Sequence, residues 1–242
     1  MNLKEKKFLI FDADGVLVDS TALSCQKIDI ILDSLNLPAI PRPFLIKNWG
    51  IKLPDLFELI SQEIGASPEQ TKLMNELEPQ VALELPYTFP REIFEALLSL
   101  RMCDCYVGLL TNRSNASLQR LVAQTGMPLS LFDKIQTPDH WPHPKPDSRV
   151  FGPFANWAGA RGIKPEEMAY FGDTISQDLK ATQNYEWPID FVAVVSGINT
   201  REEFFDAGVQ LCRIVDFANL PNFLYKIMRQ KTESLVEIKT QS

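Results

Sequence analysis

Three short apolar runs in this chain stop abruptly at polar residues. Phe8–Phe11 ends at Asp12, Tyr106–Leu110 at Thr111 and Asn112, and Met168–Phe171 at Gly172 and Asp173. Continuous apolar runs of this length, rich in aromatic and β-branched residues, read as strands buried on both faces. Further runs, Phe132–Thr137, Phe191–Ser196 and Cys212–Val215, read the same way. Between them lie segments with helical spacing: Arg91–Arg101, Asn115–Gly126, Ser148–Gly162, Ile175–Tyr185, Thr200–Ala207 and Asn219–Lys231, with a frayed tail after about Lys231. Strands alternating with helices build βαβ units and a parallel sheet. In such a sheet every strand ends at one edge, where ligands sit. Groups far apart in the chain are therefore expected side by side.

The block between the first two strands is different. It predicts helices over 21–36 and Leu53–Ile64, and a third starting at Ser67-Pro68-Glu69, with Ser67 as N-cap and proline at the first helical position. Pro38, Pro41 and Pro43 break the first helix. No buried strand is legible between Asp19 and Pro86. An inserted all-helical cap, 20–86, on an α/β core of 1–19 and 87–242 accounts for the pattern.

Composition narrows the partners. A net charge of −7 over 242 residues gives no global attraction for nucleic acid. No apolar run approaches the length of a membrane span, and MNLKEKK carries no apolar secretory region. Cys25, Cys103, Cys105 and Cys212 lack paired metal spacing and read as reduced packing residues of a cytoplasmic protein. Nothing in the pattern separates monomer from homodimer.

The chemistry is concentrated at the strand ends. Asp12 and Asp14, two residues apart after a buried strand, are costly unless something uses them. A bound divalent cation would resolve that cost. Asp12 suits a carboxylate nucleophile, and Asp14 an acid that protonates a leaving oxygen and then deprotonates water. Asp173 suits a ligand for Mg²⁺, which prefers carboxylate oxygen. Asp178 either holds the metal's water shell or orients a lysine. Thr111 and Asn112, where a strand feeds a helix, can grip phosphoryl oxygens. Lys145 can neutralise the phosphoryl group and steady Asp12. Taken singly, each of these residues also fits a turn, a cap or a solvated surface. Their order and their positions at strand ends point to phosphoryl transfer.

Four segments carry a resemblance: FDADGVLVDS, LLTNRS, KPDSRVF and FGDTISQD, in that order. They resemble the four motifs of the haloacid dehalogenase-like superfamily, in its helical-cap subgroup with phosphoglycolate phosphatases and β-phosphoglucomutases. The resemblance implies a Rossmann-like α/β core, an aspartyl-phosphate at Asp12, and Mg²⁺ held by Asp12, Asp173 and Asp178 with the backbone carbonyl of Asp14. Two departures stand out. Four residues separate Asp173 from Asp178 where close relatives often have three, which leaves the role of Asp178 open. The lysine motif reads KPDS, without a second proline. Dehalogenases and phosphonatases lack an acid at the second motif position, so Asp14 points to transfer from oxygen.

The expected substrate is a small phosphorylated metabolite, phosphoglycolate-like or a sugar phosphate. Lys47, Trp49 and Gly50, with Asn48, form the expected specificity loop of the cap; a structural turn with Trp49 packed inside is the alternative. Arg42 is a candidate for a substrate carboxylate. Arg113 is expected on the helix surface, and His140, Trp141 and His143 are expected to pack within their loop. Two other functions fit the same residues: a phosphomutase, and a catalytically silent binder of phosphate ligands or a partner.

Overall fold

The computed structural model describes residues 3–85 and 87–240, with the backbone alone for Lys4 and 233–240. Six parallel strands form one sheet: β1 (Phe8–Phe11), β2 (Tyr106–Leu110), β3 (Lys134–Gln136), β4 (Met168–Gly172), β5 (Asp190–Val195) and β6 (Ile214–Asp216), in the order β3-β2-β1-β4-β5-β6. All four residues of β1 are fully buried, as its unbroken apolar run requires. Leu9 and Phe11 point into one core, Phe8 and Ile10 into the other.

Helices cover both faces. In addition to the four helices between β1 and β2 described below, the chain forms α5 (Arg91–Met102), α6 (Asn115–Thr125), α7 (Gly152–Gly159), α8 (Lys180–Gln183), α9 (Arg201–Asp206) and α10 (Leu220–Thr240). The Leu9 face packs on α5, α6 and α10, through residues such as Leu97, Leu121 and Leu224. The Phe8 face packs on α7 to α9, through Phe154, Ala181 and Phe204. The backbone of α10 stays helical to Thr240, past the expected fraying point. Its last stretch is built of helix formers such as Glu, Leu and Lys.

The chain runs outward from β1 to β3, then returns to β4 on the other side, so the strand order reverses between β1 and β4. That reversal opens a crevice at the strand ends. The register aligns the ends: Phe11 is level with Leu109 on one side and with Phe171 on the other. Asp12, Thr111 and Asp173 therefore leave the sheet at one edge.

Between β1 and β2 lie α1 (Thr21–Ser34), α2 (Arg42–Lys47), α3 (Leu53–Ile64) and α4 (Pro68–Glu84). They share an apolar core of their own, with Ile28, Leu45, Phe57 and Met74 buried together. Ser67 caps α4 in a full capping box with Gln70. The helix α2 was not expected among its prolines. Pro41 is its N-cap and Pro43 lies in its first turn, where a missing N–H costs nothing. Among the described residues no helix is long and apolar enough to cross a membrane.

Two local expectations change. Cys105 is buried beside β2, as a packing residue should be, but Cys212 is exposed and is not one. The segment after β4 is not a plain α-helix: Ile175–Leu179 is a π-helical turn leading into α8. The N–H groups of Asp178 and Leu179 both donate to the Thr174 carbonyl, at 3.1 Å each. The wider turn takes up the extra residue of FGDTISQD and turns Asp178 inward.

Candidate active site

The centre of the site is the buried ammonium of Lys145. It donates to Asp12 Oδ2 at 2.7 Å, to Asp178 Oδ1 at 2.7 Å and to the Tyr170 hydroxyl at 2.9 Å. All three of its protons are used. Asp12 Oδ1 accepts from the Ala13 N–H at 2.7 Å, so both of its oxygens are oriented. Asp178 is fully buried. Its Oδ1 also accepts from the Tyr170 hydroxyl at 2.5 Å, and its Oδ2 from the N–H and hydroxyl of Thr174 at 2.9 and 2.5 Å. With both oxygens engaged, Asp178 favours the lysine-orienting alternative over the water shell. Tyr170, read in the sequence only as part of an apolar strand, is the site residue that the pattern concealed.

Asp173 stands across from this group. Its Oδ2 accepts from the Ser196 hydroxyl at 2.7 Å, and a Cβ at Gly15 would lie 1.9 Å from that same oxygen. Gly15, at φ +68°, is needed both for the turn and for the carboxylate that fills its missing side chain. Asp12, Asp173 and Asp178 each bring an oxygen within 4.8 Å of the others. Three buried carboxylates lie together with one lysine, which pairs with Asp12 and Asp178 only and leaves surplus negative charge. Burial lifts the Asp12 carboxyl to about 7 despite Lys145, with Asp178 and Asp14 adding to the rise. Burial and the Asp178 and Asp12 charges push Asp173 well above the carboxylate range. Burial works against the charge on Asp178 too, yet Lys145 and the donated hydrogen bonds hold it below its ordinary value. A hard dication fits this donor set: oxygen ligands with an unbalanced charge.

Asp14 lies in a different environment. Arg113 grips it at two points, Nε to Oδ2 at 2.6 Å and Nη2 to Oδ1 at 2.7 Å. Burial opposes the charge on Asp14, but the guanidinium holds its carboxyl below the ordinary value. The surface position expected for Arg113 is thus corrected. It lies between the end of β2 and the Ser114 N-cap of α6, and that junction turns its side chain into the cavity.

The cavity has a volume of about 460 Å³ and lies between the strand ends and the helical block. Thr111, Asn112, Trp49 and Gly50 line it together with Asp12, Asp14, Lys145 and Asp173. The Asn112 side chain serves as a brace. Its amide donates to the carbonyls of Gly50 and Lys145, at 2.7 and 3.0 Å, and its oxygen accepts from the Lys145 N–H at 2.9 Å. It joins the helical block to the core, so its amide is not free to grip a phosphoryl group. Trp49 lines the cavity and packs among the apolar residues of the helical block.

Three expected contacts fall outside the cavity. The Asn48 amide donates to the Phe44 carbonyl at 2.9 Å, within its own helix end. Lys47 is exposed at the last turn of α2, because that helix buries Leu45 instead. Arg42 pairs with Asp29 at 3.1 Å on the surface. His140 bonds within its loop, near Thr137 and Asn115, and the Trp141 indole donates to the Arg149 carbonyl and packs against His143. Lys27, Glu78, Arg120 and Gln177 also line the cavity, and sequence reasoning missed them. Lys27 and Glu78 read there only as polar positions on amphipathic helices, which carry no sign of the buried ion pair they form at 2.7 Å.

The model of the haloacid dehalogenase-like hydrolases matches residues 9–194, which span Asp12, Asp14, Thr111, Asn112, Arg113, Lys145, Asp173 and Asp178. The chain belongs to this family. It is 26% identical over 189 residues to a phosphoglycolate phosphatase of Nitrosococcus oceani, covering 75% of this chain and 81% of that one. In fold it is similar to a hydrolase from Pseudomonas syringae, with a TM-score of 0.70, 23% identity and coverage of 92% of this chain and 99% of the other. It is also similar to a β-phosphoglucomutase from Clostridium difficile, with a TM-score of 0.68, 18% identity and coverage of 96% and 99%.

Proposed function

We propose that this hydrolase splits small phosphate monoesters through an aspartyl-phosphate on Asp12, with Mg²⁺ as cofactor. The observation that carries the reading is the buried Asp12–Lys145–Asp178 group facing Asp173 at the strand-order reversal. A carboxylate held on both oxygens, beside a fixed ammonium, is placed to attack a phosphorus atom.

Asp12 attacks phosphorus, and the ester P–O bond breaks. Asp14 gives its proton to the departing oxygen. Asp14 then takes a proton from water, the water oxygen bonds to phosphorus, and the P–O bond to Asp12 breaks. Inorganic phosphate leaves and Asp12 is restored. Lys145 stays in place throughout and offsets negative charge on the transferring group. Thr111, which lines the cavity at the end of β2, offers its hydroxyl to the phosphoryl oxygens. Asp12, Asp173 and the Asp14 carbonyl would hold Mg²⁺, and Asp178 would act through Lys145. When bound, the cation supplies charge neutralisation for the carboxylates and the phosphoryl oxygens.

The same reading divides the chain into a core of 1–19 and 87–242 and a cap of 20–86, which closes over a substrate of phosphoglycolate or sugar-phosphate size. A relative with phosphoglycolate phosphatase activity in its name supports that size. The test is phosphate release with Mg²⁺ from a panel of small esters, run beside Asp12→Asn and an EDTA control. Release that needs both the metal and Asp12 is the expected result. Silence on every ester, with turnover of a sugar phosphate only when its bisphosphate is added, would assign a mutase instead.

A further inference from the structure

Arg113 holds Asp14 back as an acid. The guanidinium fork binds one lone pair on each of its oxygens and keeps the carboxylate facing the cation rather than a leaving oxygen. Arg113 is itself well seated. Its Nη1 donates to the Ser117 hydroxyl at 3.0 Å, and its guanidinium lies 5.6 Å from the Tyr87 ring centroid. A turnover through Asp14 therefore requires something to draw the fork away.

The wall around Arg113 shows what could do so. Lys27 and Arg120 line the same cavity, and both pair with Glu78, at 2.7 and 3.4 Å. Three cations thus face two carboxylates, Asp14 and Glu78. Lys52 and Asp139 are exposed at the rim, where Asp139 accepts from the Asn115 N–H. Over the whole lining five cations meet five carboxylates, but beside Arg113 the three cations have only Asp14 and Glu78 as their ion-pair partners. A guanidinium fork fits a carboxylate or a phosphate as well as it fits Asp14, so a ligand anion can replace Asp14 in the fork without leaving Arg113 unpaired. A neutral tail offers no such exchange.

We propose that Arg113 is a substrate-operated latch on Asp14, opened by a second anionic group on the substrate. The preferred substrates are then phosphate monoesters carrying a carboxylate or a second phosphate at the far end. This rests on the phosphatase reading above. Arg113 is a positioning residue for Asp14 and at the same time selects the substrate.

The test compares three esters of equal length: a phosphocarboxylic acid, an alkyl bisphosphate and an alkyl phosphate with a neutral tail. Wild type is expected to favour an anionic tail by about 10–100-fold in kcat/KM, the range of one or two charge-assisted hydrogen bonds. Arg113→Gln should erase that preference from both sides. The anionic-tailed esters lose at least tenfold, whereas the neutral-tailed ester gains, because Asp14 no longer starts out held. Arg113→Lys, which keeps the charge but not the two-point grip, should fall between, and it carries the comparison if Arg113→Gln does not fold. A preference confined to the carboxylate or to the phosphate supports the latch and names its anion. The latch is overturned if wild type shows no preference, or if all three esters fall by one common factor in Arg113→Gln. Turnover that depends on Asp12 without any tail preference removes the latch alone. Turnover that survives Asp12→Asn, or no turnover at all, removes the phosphatase reading and the latch together.

Discussion

The side chain that most repays attention is one that touches no reacting atom. Asp178 connects Lys145, Tyr170 and Thr174, and through them fixes where the Lys145 ammonium stands. Asp178→Asn removes the charge that faces Lys145 and turns an amide donor toward other donors. Outer partners of this kind typically cost 10–100-fold when lost. Asp178→Asn should therefore lower kcat by about 10–100-fold, with KM moving much less. Tyr170→Phe, which deletes one hydroxyl and keeps the carboxylate, should fall by less than tenfold. Steady-state phosphate release measures both. Equal losses in the two variants would place Tyr170, not Asp178, in charge of the lysine. The extra residue in FGDTISQD clouded this role in the sequence, because a regular helix would point position 178 elsewhere. Only the π-helical turn restores its direction.

Among elements, the loop after α2 joins the helical block to the core. Gly50 sits at φ +84°, its carbonyl accepts from Asn112, and an added Cβ would lie 2.7 Å from Gln177 Cγ. Gly50→Ala adds left-handed strain of about 1–2 kcal/mol and presses the loop off the core. We expect KM for the best ester to rise about tenfold, the equivalent of 1.4 kcal/mol. Ser67→Ala is the matching control within the same helical block. It removes the capping box of α4 at an exposed end, at a cost of about 1 kcal/mol. That lowers Tm by about 2–4 °C for a chain of this size and leaves KM alone. If both variants shift only Tm, the Gly50 loop has no part in substrate binding.

For the molecule as a whole, the clustered acids set the pH response. Without metal, Asp12 keeps its proton up to about 7 in the folded state, whereas an unfolded aspartate loses it near 4. The folded chain then binds more protons than the unfolded chain between those values, so stability falls as pH rises through that window. Asp173 shifts the same way. Asp14 and Asp178 shift oppositely, and their contribution is lost only as pH drops below the ordinary carboxylate value. Thermal unfolding in EDTA should give a higher Tm at pH 5.5 than at pH 7.5, and Mg²⁺ should narrow that gap by matching the carboxylate charge. A gap that Mg²⁺ leaves untouched would separate these acids from metal binding. The sequence by itself determined the parallel sheet, the helical block and the strand-end set of Asp12, Asp14, Thr111, Asn112, Lys145 and Asp173. Apolar runs that stop at polar residues have few ways to bury themselves, and parallel strands must end together. Tertiary structure alone decided what those residues do to one another. Arg113 reaching Asp14, Tyr170 and Asp178 sharing Lys145, Asn112 bracing Gly50, and Lys27 burying its charge on Glu78 are all contacts between distant elements. Local periodicity carries no trace of them, because a buried charge is set by the partner that folding brings to it.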